Sequence, residues 1–210
     1  MSDVMKQVSD LERILLERLS ENGFRKKRAN VFIRKEKECT QHVSVLVTKT
    51  RGEDSAHIRP TVGFTYEAVN RIIYALQSKA YDSKRVTAHI SMETLIDRKE
   101  PYDFYITRES GVSDIADILV NDIREYAFIF WESCNSYEKY YSLLREKNEF
   151  IRKSTYSLKR PEWNLLALAL LLNQTDYRDI LNEYKEDFGN NGFCIESVGK
   201  IADEYMNTKE

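Results

Sequence analysis

The chain has 210 residues, 42% hydrophobic, 11% aromatic and 31% charged, and its 32 basic and 34 acidic side chains leave a formal charge of -2. Such a length and apolar content suit one large core or two small ones and exclude a disordered chain. The near-neutral balance excludes a global field for polyanions, so nucleic acid is disfavoured as a partner unless a local patch supplies the charge.

Val4, Val8, Leu11, Leu15 and Leu19 recur at helical spacing and predict an amphipathic helix that Asn22-Gly23 ends. Arg25-Lys26-Lys27-Arg28 follows as a basic turn before the first strand. Val31 to Arg34, Val43 to Thr48 and Ile58 to Phe64 are β-rich runs separated by charged or Gly-containing turns. Folding about Lys37-Glu38 sets Val31 and Ile33 beside Val45 and Val43, and folding about Gly52-Glu53 sets Val43 beside Val62 and Val47 beside Ile58. One face is then Val31, Ile33, Val43, Val45, Val47, Ile58 and Val62, the seat of the first helix. The opposite face carries Phe32, Arg34, His42, Ser44, Leu46, Thr48, His57, Arg59 and Thr61, and solvent exposure is its ordinary fate. Pro60 calls for an edge or a bulge in the third strand.

A helix is predicted over 67–80, a fourth strand over 86–92 and a fifth over 102–107. Ser110 or Ser113 then caps a helix reaching Trp131. Beyond Ser136 the pattern is helical, with segments at 137–150, 161–172, 176–188 and 195–206, and with Gly189 and Gly192 as a stop. The fold class is α+β: an antiparallel sheet of about five strands backed by the N-terminal helix over 1–110, then a helical subdomain over 111–210. The aromatic group Tyr126, Phe128, Phe130, Trp131, Tyr137, Tyr140 and Tyr141 reads as core.

Cys39, Cys134 and Cys194 are scattered, odd in number and in no CxxC pair, which argues against structural zinc and a disulfide framework and for a reducing cytoplasm. The opening residues reach Asp10, Glu12 and Arg13 without an apolar run, so no signal peptide is expected. The apolar run from Leu165 to Leu172 is well short of the ~20 residues that span a bilayer, so no membrane association is expected.

In this register His42 and His57 lie roughly 23 Å apart at a strand rise of ~3.3 Å, too far to share a metal. No metal-ligand spacing, nucleophile elbow or phosphate-binding glycine loop is present, so neither metal nor cofactor is expected. The strongest local field is the basic cluster with Arg34 and Lys35, which invites an acidic protein surface more than phosphate. Nearby Glu21, Glu36 and Glu38 are the ordinary compensation for it.

Gly23-Phe24-Arg25-Lys26-Lys27, Phe32 and the valine-rich Val43 to Val47 together resemble the opening of an uncharacterised bacterial domain family, over about the first third of the chain. Such domains are similar to small immunity proteins that neutralise toxins, and the resemblance implies no catalytic residue. The expectation is therefore a non-catalytic binding protein, immunity-type, with Arg25, Lys26, Lys27, Arg34, His42, Arg59 and His89 as candidate binding residues. The alternative is a small-ligand or enzyme pocket on the outer sheet face, using His42, His89, Arg34 or Arg59.

Overall fold

A computed structural model describes residues 3–49, 54–96, 102, 104–149, 151, 161–190 and 192–208. The expected turn at Gly52-Glu53, Pro101 and the expected helix end at Phe150 lie outside them. The fold is α+β. By contact the chain divides into two compact units, Met1–Phe64 with Ile90–Ser133, and Thr65–His89 with Cys134–Glu210.

In the first unit, α1 (Asp3–Ser20) buries the expected stripe of Val4, Val8, Leu11, Leu15 and Leu19. Gly23, at φ +81°, reverses the chain, and the Phe24 amide closes the helix end on Leu19 O at 3.2 Å. The basic cluster is not a turn, as its charge suggests, but a strand, β1 (Arg25–Arg28). It pairs antiparallel with β2 (Val31–Glu36) as Arg25↔Ile33, Lys26↔Phe32 and Arg28↔Val31, with a bulge at Lys27. Ala29-Asn30 makes the tight connection, Asn30 taking φ +56°. β1 is the first strand in the sheet order, and four exposed cations on an edge discourage pairing with other chains.

The turn at Lys37-Glu38 falls where expected, but the register does not. β2 pairs with β3 (Cys39–Lys49) as Val31↔Ser44, Phe32↔Val43, Ile33↔His42 and Arg34↔Gln41. This is one residue from the expected pairing, because the turn holds only two residues between Glu36 and Cys39, with Lys37 at φ +50°. A one-residue shift exchanges the faces of a strand. Phe32 is thus fully buried, Arg34 also faces inward, and Val31 and Ile33 lie half-buried on the other side.

β4 (Ser55–Tyr66) pairs with β3 and, along its other side, with β5 (Ala88–Ser91) and β6 (Phe104–Thr107), giving six strands among the described residues. The one beyond expectation is β1. Ser55↔Thr107 to Ile58↔Phe104 form the β4–β6 ladder, so Pro60 falls just past its end, where a missing donor breaks none of its bonds. β5 is shorter than the expected 86–92: it begins at Ala88, and Met92 opens a helix, α3 (Met92–Ile96).

The next helix is continuous through a wider turn: α4 (Val112–Asp122), a π-turn over Ile123–Ala127, and α5 (Phe128–Ser133). Neither serine caps it. Gly111 holds the cap position, Ser110 Oγ accepts from the Thr107 amide (2.8 Å), and Ser113 accepts from Arg18. α4 packs on α1, while α5 covers the sheet: Trp131 Nε1 donates to Gly63 O (2.8 Å), and Phe130 meets Phe64.

The second unit is built around a helix that is buried on every side. α2 (Glu67–Leu76) buries Val69, Ile72, Ile73 and Leu76 but stops before the expected Ala80, where Ser78 at φ +52° turns the chain. α6 (Tyr137–Arg145) starts at Ser136, whose Oγ accepts from the Lys139 amide (3.2 Å). α7 (Pro161–Leu171) has Glu162 to Leu170 all buried, the signature of a central helix. The expected helix over 176–188 is two, α8 (Tyr177–Glu183) and α9 (Lys185–Asn190), divided at Tyr184. Gly189 lies inside α9, and Gly192, at φ +78°, supplies the stop before α10 (Ile195–Asn207). α7 packs on α2, α6, α8 and α10.

A buried polar knot joins α2 and α7. Thr87 Oγ1 accepts from the Tyr66 amide (2.7 Å) and donates to Asn70 Oδ1 (3.1 Å), while Asn164 Nδ2 donates to Thr87 O and the Tyr140 hydroxyl. Tyr140 is fully buried, and desolvation holds its hydroxyl pKa well above the ordinary value. Thr87→Val keeps the shape and strands two buried polar groups, so it should cost about 2–3 kcal/mol. Chemical denaturation measures this, and a loss under about 0.5 kcal/mol would show that the knot contributes little.

Candidate functional site: the outer face of the sheet

Alternation along the paired strands sorts the first unit's sheet into two faces. Inward lie Phe32, Arg34, Gln41, Val43, Val45, Ala56, Ile58, Val62, Phe64 and Ile106, nearly all buried. Outward lie Arg25, Arg28, Val31, Ile33, Lys35, His42, Ser44, Leu46, His57, Arg59, Thr61, Tyr105 and Thr107. The outward strand positions carry four cations and, among the described residues, no carboxylate, with Lys27 added at the bulge. All five cations are exposed.

Exposed apolar groups lie beside this charge, Leu46 on β3 and Tyr105 on β6, strands away from β1 in the sheet order. Leu46 and Tyr105 are 58% and 59% exposed, high values for side chains that an ordinary solvated sheet face would not need. The Tyr105 ring stacks on His57, its cross-strand partner, at 4.6 Å between centroids. Thr61 Oγ1 donates to Ser44 O (3.4 Å), setting those residues side by side, so Leu46 falls beside Arg59. Leu46 and Tyr105 are then about 12 Å apart, from two strand spacings across and two residues along.

His42 on this face is buried, at 7% exposure, opposite Ile33 of β2. Burial first, and then the charges of Lys27 and Arg28, lower its pKa from 6.5 to about 4. The imidazole is therefore neutral at physiological pH, although cations surround it.

The structure brings Arg25, Lys27, His42 and Arg59 onto this face. Lys26 points the other way and pairs with Glu12 of α1 (2.8 Å). Arg34, expected on the outer face, is corrected to the inner one by the register. Its guanidinium lies over Phe128 (4.5 Å) and near Phe24 (5.3 Å) and Trp131 (6.0 Å). It also donates to Gln41 Oε1 (2.8 Å) and Asn22 O (3.2 Å) and approaches Glu36 (3.5 Å). These contacts fix the core edge and leave no fork for a partner. His89 belongs to the second unit, where it is exposed, with partial desolvation of its ring lowering its pKa. Leu46, Arg28 and Lys35, expected on the outer face or in the basic cluster but not among the candidate binding residues, join the surface, as does Tyr105. The alternation in Tyr102 to Thr107 was the signal for Tyr105.

Among the described residues, no three His, Cys, Asp or Glu side chains are placed to hold a metal ion. Cys39 and Cys134 are buried and Cys194 is exposed, all as thiols. No helix of the described residues is long and apolar enough to cross a membrane.

Fold and face together define an α+β protein with an open, cationic sheet surface. No family model, curated protein or solved structure matches the chain.

Proposed function

We propose that the protein is a non-catalytic binding protein that docks a carboxylate-rich protein surface on the outer face of its sheet, in the cytoplasm. The observation that carries this is the pairing of exposed Leu46 and Tyr105 with cations of a single sign. Exposed apolar side chains beside a charged patch suit a protein docking surface. The one-sign charge steers an oppositely charged partner and rejects basic ones. The immunity-type resemblance of the opening third makes a toxin the partner class. Three thiols suit the reducing compartment.

The test is affinity capture from native lysate, with and without nuclease, comparing the wild type with a double variant, Arg59→Glu and Tyr105→Ala. The expected result is a stoichiometric protein that survives nuclease and is lost from the variant. Retention of the same protein by both baits, or of nuclease-sensitive material alone, would overturn the proposal.

A further inference from the structure

Among the described residues, the exposed large hydrophobic side chains fall into two pairs on the first unit. Leu46 and Tyr105 lie on the cationic sheet face, and Ile118 (45% exposed) and Ile129 (69%) lie on the helix formed by α4, the π-turn and α5. That helix carries Asp114, Asp117, Glu125 and Glu132, all exposed, of which Asp117 is already paired with Arg18 of α1. Its one exposed cation among the described residues, Arg124, is held by Glu21 (3.0 Å) and Asn22 (3.1 Å). The helix thus offers exposed carboxylates beside exposed apolar side chains, the chemistry that the sheet face selects.

The dimensions agree. Ile118 and Ile129 are eleven residues apart on one continuous helix, so about three turns and about 16 Å. The sheet pair spans about 12 Å, a gap that side-chain reach closes when a helix lies diagonally across strands. A helix of 22 residues in all (112–133) is about 33 Å long, enough to cross the sheet.

We infer that the sheet face takes a second copy of this chain, through that copy's α4–α5 helix. This rests on the reading of the face as a docking surface for carboxylate-rich partners and names one such partner. The contact is heterologous, because two different patches meet, so it propagates head to tail unless the rotation closes a ring. One helix on one sheet buries an area at the low end for specific interfaces, so the association is weak and salt-sensitive.

The test is sedimentation velocity of the full chain from about 5 to about 500 µM, at low and high salt. The average mass should rise with concentration and fall with salt. Leu46→Asp and Ile129→Asp change exposed side chains and should each give a monomer with unchanged near-UV circular dichroism. Their mixture decides the matter. Leu46→Asp retains a sound helix and Ile129→Asp a sound sheet face, so together they should form a 1:1 dimer that grows no further. A monomeric wild type at the highest concentration, or a mixture that stays monomeric while the wild type associates, would overturn the inference. The docking proposal fails separately, when capture is insensitive to Arg59 and Tyr105.

Discussion

Alanine at Arg34 should destabilise the protein by about 3 kcal/mol, the sum expected for a desolvated cation–aromatic contact and two hydrogen bonds lost together. The guanidinium plane lies over the Phe128 ring while its edge donates to Gln41 and to the last carbonyl of the α1 turn, Asn22 O. Its side chain is 17% exposed, so little of this is screened by water. Lysine should recover less than half of the loss, because an ammonium cannot stack and donate sideways at once. Alanine at Arg25 or Arg59, both exposed, should stay within about 0.5 kcal/mol of the wild type. Urea unfolding of the four variants settles the comparison. An Arg34→Ala loss below about 1 kcal/mol would place the residue among the ordinary surface cations.

The second large effect is a pH dependence. His42 holds a pKa of about 4 in the folded chain against 6.5 in the unfolded one. The unfolded state therefore takes up the proton first as pH falls. The stabilisation is complete above about pH 6.5, is lost as pH falls toward 4, and changes no further below that. The full span corresponds to about 3 kcal/mol. His42→Leu should flatten the stability profile in this window, and unfolding at about pH 7 and about pH 4.5 reads it. Lys27→Gln, which removes one of the two cations acting on the ring, should raise the His42 pKa measured by NMR. An unchanged slope in the leucine variant would assign the acid sensitivity elsewhere.

How far these features were legible depends on which physics set them. The α1 stripe and the Gly23 stop follow from periodicity and backbone freedom, which a sequence displays directly, whereas the apolar run of α7 showed a helix but not its central place. β1 was hidden because lysine and arginine are poor strand formers. It exists through its ladder to β2 and the tether from Lys26 to Glu12, neither of which is local. Its local trace was Ala29-Asn30, a short turn with a residue that tolerates positive φ. The β2–β3 register turned on Lys37 adopting φ +50°, a conformation that lysine does not advertise. That single residue sent Arg34 inward and Ile33 outward, so part of the expected binding set moved with it. His42 and Arg59 kept their face because their own strands alternate cleanly. The division at Tyr184 and the π-turn gave no signal, since both leave the helical spacing of the apolar residues nearly unchanged.

The interleaving of the two units has a consequence for the chain's biosynthesis. α2 leaves the ribosome with the apolar side chains of Val69, Ile72, Ile73 and Leu76 ready to pack, but its principal partner, α7, starts about 85 residues later. At typical elongation rates that is a wait of roughly 4–17 s. During this interval the first unit is completed at Ser133 while a hydrophobic helix inserted in its sequence stays uncovered. A nascent chain stalled between residues 133 and 161 should therefore be a chaperone client even though all of its N-terminal unit has been made.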